Sequence, residues 1–146
     1  MAHIRPMHPS DVGAVTALEK QCQHYPWPAW LFRSMLRTTF TCRVIDVENR
    51  VVGYGVAQHK NGWVHLMNIC IAKRFRGMGL GQKITLHLLN EARQHHIIAA
   101  WLEVRPTNHI AIRLYQSLGF RKARICKHYY PARGRRLPAI VMTRQL

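Results

Sequence analysis

The chain has 146 residues, 48% of them hydrophobic, and its 22 lysines and arginines against 6 aspartates and glutamates give a formal net charge of +16. This length fits one domain over residues 1–146, because domains commonly run about 100–200 residues. No segment approaches the roughly 18–20 consecutive apolar residues of a membrane span, and the N-terminal segment lacks the apolar stretch of a signal peptide, so we expect a soluble cytoplasmic protein with no membrane partner.

The first half of the chain predicts a strand, two helices and a meander of strands. Ser10 and Asp11 follow the possible strand HIRPM and offer an N-cap for a helix in VGAVTALEKQC. The prolines of HYPWPAWLF end this helix and allow a second one from about Pro28. FTCRVIDV, VVGYGVAQ and WVHLMNICIA then read as strands, with Asn61-Gly62 as a strong hairpin signal. The first part of the sheet is therefore expected to be antiparallel.

The second half alternates helices and strands before a closing hairpin. Apolar residues recur at helical spacing over residues 81–94, and HIIAAWLEV is a buried strand. The segment TNHIAIRLYQSLGF predicts a helix that Asn108 caps and Gly119 ends. RKARICKHYY and LPAIVMTRQL flank the loop PARGRR as a terminal hairpin. The order of elements predicts an α/β domain.

The cysteines and histidines give no sign of a metal site. The four cysteines are widely spaced, with no C-x-x-C pair: Cys22, Cys42, Cys70 and Cys126. We expect free, mostly buried thiols rather than disulfides or metal ligands. Ten histidines are scattered, and the adjacent pair His95-His96 closes a helical segment, where a cation suits the helix dipole. We therefore predict no metal.

The segment KRFRGMGLGQ, residues 73–82, joins a predicted strand to a predicted helix. This arrangement suits phosphate, because the free N–H groups and the dipole of a helix start attract anions. The glycines spell G-x-G-x-G, which is neither the dinucleotide fingerprint nor the Walker loop. Two interpretations remain from these residues alone: a phosphate cradle, or a tight turn beside solvated positive charge.

A longer pattern points to one family. Arg76-x-x-Gly79-x-Gly81 reads R-x-x-G-x-G, which resembles the acetyl-CoA pyrophosphate loop of the GNAT N-acetyltransferases. The segments LMNICIA, WLEVRPTNHIAIRLYQSLGF, and HYYP with AIVM resemble other parts of that family, and YPWPAWLF resembles its RimI-type ribosomal-protein-alanine N-acetyltransferase branch. The resemblance covers nearly the whole chain. It implies a GNAT fold: a mixed sheet with antiparallel N-terminal strands, a central splayed parallel pair, and helices on both faces.

The resemblance also implies two catalytic residues. Acetyl transfer from a thioester needs a neutral amine, and Glu103 matches the family's proton acceptor in WLEVR. An N-terminal ammonium has a pKa of about 7.7–8.0, so a carboxylate acting directly or through water can deprotonate it near neutral pH. Tyr115 matches the tyrosine that protonates the departing thiolate. The residues alone also allow an ion pair of Glu103 with Arg105 or another cation, and a half-buried core position for Tyr115.

Acetyl-CoA is the cosubstrate that the resemblance implies, without a metal. The family's coenzyme-binding positions fall on the strand before the loop, on the loop with the helix start after it, and on the later helix that Asn108 caps: Ile69, Cys70, Ile71, Arg76, Gly77, Met78, Gly79, Leu80, Gly81, Gln82, Asn108 and Tyr115. Asn108 can serve as a helix N-cap at the same time.

We therefore expect an acetyl-CoA-dependent N-acetyltransferase that acts on the N-terminal amine of a protein such as a small-subunit ribosomal protein, with alanine favoured. The alternatives are an acetyltransferase for a small amine or aminoacyl-tRNA, and a nucleic-acid or ribosome-binding protein without catalysis. The net charge of +16 motivates the last two, as does RKARICKHYYPARGRR, where aromatic and basic residues interleave. Ribosome or RNA association through a basic surface could also accompany catalysis. A site for the basic N-terminal segment of a ribosomal protein is expected to offer acidic side chains, and the chain has only six. The identity of the acceptor amine is therefore not determined by the sequence.

Overall fold

The computed structural model describes the backbone of residues 1–132 and 135–146, and the side chains of residues 1–127 and 137–146. The predicted elements are present in the predicted order. They are β1 (Ala2–Pro6), α1 (Val12–Cys22), α2 (Ala29–Leu36), β2 (Thr41–Val47), β3 (Arg50–Lys60), β4 (Trp63–Ile71), α3 (Leu80–Gln94), β5 (Ala99–Val104), α4 (His109–Ser117), β6 (Arg121–Ala132) and β7 (Arg135–Gln145).

The strands form one mixed sheet in the order β1-β2-β3-β4-β5-β7-β6. The first four strands pair antiparallel, as predicted. The turn between β3 and β4 holds Asn61 and Gly62 at φ 54° and φ 80°, the left-handed conformations that a two-residue hairpin turn requires. β4 and β5 pair parallel, which confirms the mixed sheet that the family resemblance implies.

Helices cover both faces of the sheet, and each face has its own apolar core. α3 and α4 pack on one face, where Ile84, Leu88 and Leu89 of α3 are fully buried. α1 and α2 pack on the other face, where Val15 and Phe32 are fully buried. The helical spacing of apolar residues in α1 and α3 follows from this packing, because only one side of each helix meets the sheet. The predicted fold class is confirmed.

The parallel pair separates halfway along its length. Cα partners run from Trp63 opposite Ala99 to Leu66 opposite Leu102, although β4 continues to Ile71 and β5 to Val104. The β3–β4 register shifts at this level, where Val56 pairs with Asn68 but Ala57 pairs with Leu66. The bulge re-aims the second half of β4 away from β5. The splay that the resemblance implied is therefore present.

The structure corrects the cysteine prediction. Cys22, the last residue of α1, and Cys70 of β4 form a disulfide, with Cα atoms 6.2 Å apart, so the expectation of free thiols is wrong for this pair. Cys42 and Cys126 are free. The bonded cysteines are 48 positions apart and carry no local pairing signal, because the packing of α1 across β4 brings them together.

The terminal hairpin is present, and its strands extend further than predicted, to Ala132 and from Arg135. The centre of the predicted loop PARGRR lies outside the described residues, as do the side chains of the HYYP segment. None of the four helices in the described part of the chain combines the length and the hydropathy of a membrane span.

Candidate active site

A cavity of about 690 Å³ opens where β4 and β5 separate. Both strands, the end of α1, the segment that follows it and the start of α4 contribute to its walls. Four of the predicted site residues line it: Ile69, Glu103, Asn108 and Tyr115. Its volume is in the usual range of ligand sites. The structure thus brings both predicted catalytic side chains to one cavity.

The other predicted coenzyme residues lie outside the lining of this cavity. Cys70 is buried and bonded to Cys22, Ile71 ends β4, and residues 76–82 form the loop and first turn that follow. The predicted contacts of these residues with the coenzyme stay predictions.

Glu103 has a partner that the sequence did not indicate. The side chain is 6% exposed, and its Oε2 lies 2.7 Å from Nε2 of His65 on β4. The imidazole of His65 stacks on the indole of Trp101, with ring centroids 3.7 Å apart and planes 9° apart. A ring held in this way keeps its nitrogen aimed at the carboxylate. Alternation along β4 and β5 puts these residues on one face, but only the strand register shows that they meet.

Tyr115 is partly buried in α4, and its ring contacts Phe120 edge-on at a centroid distance of 5.8 Å. Burial raises the pKa of its hydroxyl to about 12, because the phenolate would lose its hydration. The hydroxyl therefore keeps its proton throughout the pH range in which the protein would work. Tyr115 can donate a hydrogen bond into the cavity, but its hydroxyl is a weaker acid than that of an exposed tyrosine.

The glycine loop has the geometry of an anion site. Gly79 is the N-cap of α3 in the left-handed conformation, with φ 79°, and a Cβ atom added there would meet nothing within 4 Å. The first helical hydrogen bond runs from Lys83 N to Gly79 O, so the N–H groups of the first turn have no partner inside the helix. The residues therefore fit a pyrophosphate at this helix start.

Arg76 ties the loop to the preceding strand. Its Nε donates to the carbonyl of Ile71 at 2.9 Å, and its terminal nitrogen lies 3.5 Å from Sγ of Cys22. Lys73 and Arg74 are exposed beside it. The loop thus adds positive charge to the free N–H groups, which favours a polyanionic ligand.

Asn108 is the N-cap of α4, as predicted, and its Oδ1 accepts from the N–H of Ala111 at 3.2 Å. It also lines the cavity, so the cap and a coenzyme contact remain compatible.

The six carboxylates of the chain all fall on residues whose side chains are described. Arg5 binds both Asp11 and Asp46, and Arg43 binds Glu91. Glu48 is exposed in the β2–β3 turn. Glu19 and Glu103 are therefore the acids at the cavity. Within residues 1–127 and 137–146, no group of three or more histidines, cysteines and acids is arranged to hold a metal ion.

This fold, with its glycine loop at the start of α3, is that of acyltransferases that use a CoA thioester. Residues 12–120 match the model of the acetyltransferase (GNAT) family. The chain is 30% identical over 142 residues to the [ribosomal protein bS18]-alanine N-acetyltransferase of Escherichia coli K12, covering 97% of this chain and 96% of that one. It is also 31% identical over 134 residues to an uncharacterized N-acetyltransferase of Methanocaldococcus jannaschii, covering 87% and 83% of the two chains.

Solved structures agree with these relatives. The ribosomal-protein-S18-alanine N-acetyltransferase from Escherichia coli superposes with a TM-score of 0.90 at 29% identity, covering 99% of this chain and 94% of that one. Ard1 from Thermoplasma volcanium also gives 0.90, at 26% identity, with 99% and 97% covered. The chain belongs to the GNAT acetyltransferase family. It is an N-acetyltransferase of the RimI-like type that uses acetyl-CoA.

Proposed function

We propose that this enzyme acetylates the N-terminal amine of a protein, with alanine favoured as the first residue and a small-subunit ribosomal protein as the acceptor. The observation that carries the proposal is the shared cavity of Glu103 and Tyr115 at the splay of β4 and β5. A carboxylate for the amine and a hydroxyl for the thiolate are the two groups that direct acetyl transfer requires. Such an acceptor also puts the activity in the cytoplasm.

Glu103 accepts the proton of the attacking amine, directly or through a water molecule. As the proton leaves, the nitrogen forms its bond to the acetyl carbon, and the carbon–sulfur bond then breaks. His65 holds the carboxylate through the 2.7 Å contact and stabilises one orientation of it. An N-terminal amine suits this base better than lysine does, because its pKa is lower by roughly 2.5 units.

Tyr115 stabilises the departing thiolate by donating a hydrogen bond. Its pKa of about 12 exceeds the roughly 8.5 of a thiol, so complete proton transfer to sulfur would be uphill by about 5 kcal/mol. A hydrogen bond that strengthens as charge develops avoids this cost. The final proton on the thiol then comes from solvent.

Coenzyme binding is assigned to the strand, loop and helix start from Ile69 to Gln82, and to Asn108. The backbone of residues 69–71 contacts the acetyl and pantetheine arm, and residues 76–82 surround the pyrophosphate. Support comes from the free first-turn N–H groups and from the open space at Gly77 and Gly79.

The test is a mass-spectrometric acetylation screen with purified enzyme, acetyl-CoA and peptides that differ only in the first residue. We expect acetylation at the α-amine, fastest with alanine. The matched control is the alanine peptide with a blocked N-terminus and an internal lysine, which should stay unmodified. Acetyl-CoA binding without product from any peptide would overturn the proposed acceptor.

A second acceptor class is favoured by the charge. A net charge of +16 attracts polyanions, and an aminoacyl-tRNA presents an α-amine on such a molecule. Adding aminoacyl-tRNA to the same screen separates the two classes. The same surface could hold the enzyme on the ribosome, and such binding should weaken steeply as salt rises.

A further inference from the structure

Glu19 is a fully buried carboxylate among the residues that line the cavity. Ion pairs in the described part of the chain all use other acids, and the donors to Glu19 are neutral groups. Taking a carboxylate out of water without a cation is costly, so a buried one needs several hydrogen bonds. The donors to Glu19 indicate what this residue holds in place.

The donors come from three different elements. Oε1 accepts a hydrogen bond from the hydroxyl of Tyr54 on β3, and a second from Nδ2 of Asn68 on β4 at 2.9 Å. Oε2 accepts from the backbone N–H of Trp27 at 2.9 Å. Oδ1 of Asn68 in turn accepts from Nε2 of Gln23 at 3.3 Å. The network therefore spans α1, the sheet and the segment between the two helices.

We call that segment, residues 23–28, the acceptor wall. It contributes Gln23, His24, Tyr25 and Trp27 to the cavity that also contains Glu103. Its sequence ends Pro26-Trp27-Pro28, and proline has no backbone N–H, so Trp27 supplies the one amide donor of these three residues. Glu19 binds that donor. An amine that reaches Glu103 enters a space bounded on one side by this wall.

We propose that Glu19 is a positioning residue for the acceptor: it fixes the acceptor wall against β4 through the amide of Trp27 and through Asn68. The inference rests on the proposed function for what the wall binds. Glu19 itself touches neither reacting atom and acts through the residues that it holds. Its loss should therefore weaken acceptor binding more than coenzyme binding or chemistry.

The test is Glu19→Gln in the full chain. Two donors face Oε1 and one faces Oε2, so the glutamine oxygen stays with Tyr54 and Asn68 while its NH₂ group meets the amide of Trp27. The hydrogen bond from the Trp27 amide is then lost, whereas the contact of Gln23 with Asn68 remains. We expect the acceptor KM to rise about tenfold, with the acetyl-CoA Kd within twofold of the parent, because a buried donor is left unsatisfied.

Two controls keep the result interpretable. Tyr54→Phe removes one donor to Glu19 but leaves the Trp27 contact, so the acceptor KM should change by less than about threefold. Glu48→Gln makes the same chemical change at an exposed turn and should leave all constants unchanged. A merely structural role for Glu19 would lower Tm and the fraction of active enzyme without moving the acceptor KM, and that result would overturn the inference.

Amide hydrogen exchange separates this inference from the proposed function. In Glu19→Gln the Trp27 amide should exchange at least tenfold faster than in the parent. If the parent acetylates no peptide, the proposed acceptor is wrong, and the exchange rate alone decides the role of Glu19. An unchanged exchange rate of the Trp27 amide would overturn the positioning role of Glu19.

Discussion

The glycine loop at residues 76–82, which follows β4, and the acceptor wall at residues 23–28, which contacts β4, are held in different ways. The loop is a continuous stretch whose shape comes from its own backbone, with Gly79 in the left-handed conformation at the start of α3. The wall is held by Glu19, which binds the amide of Trp27, and by Asn68, which binds Gln23. Glu19 is in turn held by Tyr54 and Asn68, which are distant from it in sequence. A short motif can therefore encode the loop, whereas the wall depends on the assembled sheet.

The largest effect is expected at Glu103, the proposed proton acceptor, which lines the cavity together with the acceptor wall. Glu103→Gln should lower kcat by about a hundredfold or more, because the amine loses its proton acceptor. The acetyl-CoA Kd measured by calorimetry should stay within twofold, since the loop is untouched. Unchanged kcat under steady-state conditions would contradict the assignment of the base.

Tyr115→Phe should lower kcat by about 10–100-fold, the value of a hydrogen bond to a charged group. Burial raises the pKa of Tyr115 to about 12, so the hydroxyl remains protonated up to pH 10. The ratio of parent to variant kcat should therefore be constant from pH 7 to pH 10. A ratio that collapses as the pH rises toward 10 would show that this tyrosine titrates, contrary to its burial.

Gly79→Ala tests the loop alone. At φ 79° a Cβ atom meets open space, so the cost is backbone strain of about 1–2 kcal/mol. We expect the acetyl-CoA Kd to rise about tenfold while the acceptor KM stays within twofold. Gly13→Ala is the matched control, because Gly13 lies in α1 and its added Cβ also meets nothing within 4 Å. A similar rise in Kd for Gly13→Ala would remove the link to the loop.

The smallest effect is expected at Asp11, whose carboxylate lies away from the cavity. Hydrogen bonding to Arg5 lowers the pKa of Asp11, so its contribution to stability is present above the ordinary value near 4 and is lost as the pH falls. Asp11→Asn should cost about 1 kcal/mol of unfolding free energy at pH 7, because Arg5 is partly exposed.

Urea unfolding at pH 7 and pH 3 checks this prediction. The difference between parent and variant should shrink at pH 3, while kcat and both binding constants at pH 7 stay unchanged. An equal difference at both pH values would mean that the ionised carboxylate is not the stabilising group.

The sequence was most informative where a pattern is local. Asn61-Gly62 predicted its hairpin and the spacing of Ile84 and Leu88 predicted α3, because turn chemistry and helical periodicity depend on neighbours in the chain. Family resemblance supplied the splay of β4 and β5, which no periodicity encodes.

Contacts between residues far apart in the chain could not be predicted from the sequence. His65 and Glu103 are 38 residues apart, and nothing in either segment fixes the register that brings them together. The disulfide of Cys22 and Cys70 likewise depends on how α1 crosses the sheet.

The separation of β4 from β5 gives the sheet a third edge, inside the molecule. Beyond Leu66 and Leu102 the two strands no longer face each other as partners, so backbone groups of β4 are available to a ligand that lies alongside them. Exposed strand edges invite pairing with other chains and aggregation. Here the edge lies between strands of the same sheet, beside the cavity that both strands line. Unpaired backbone groups of β4 are thus available for hydrogen bonds inside the molecule rather than at an outer edge of the sheet.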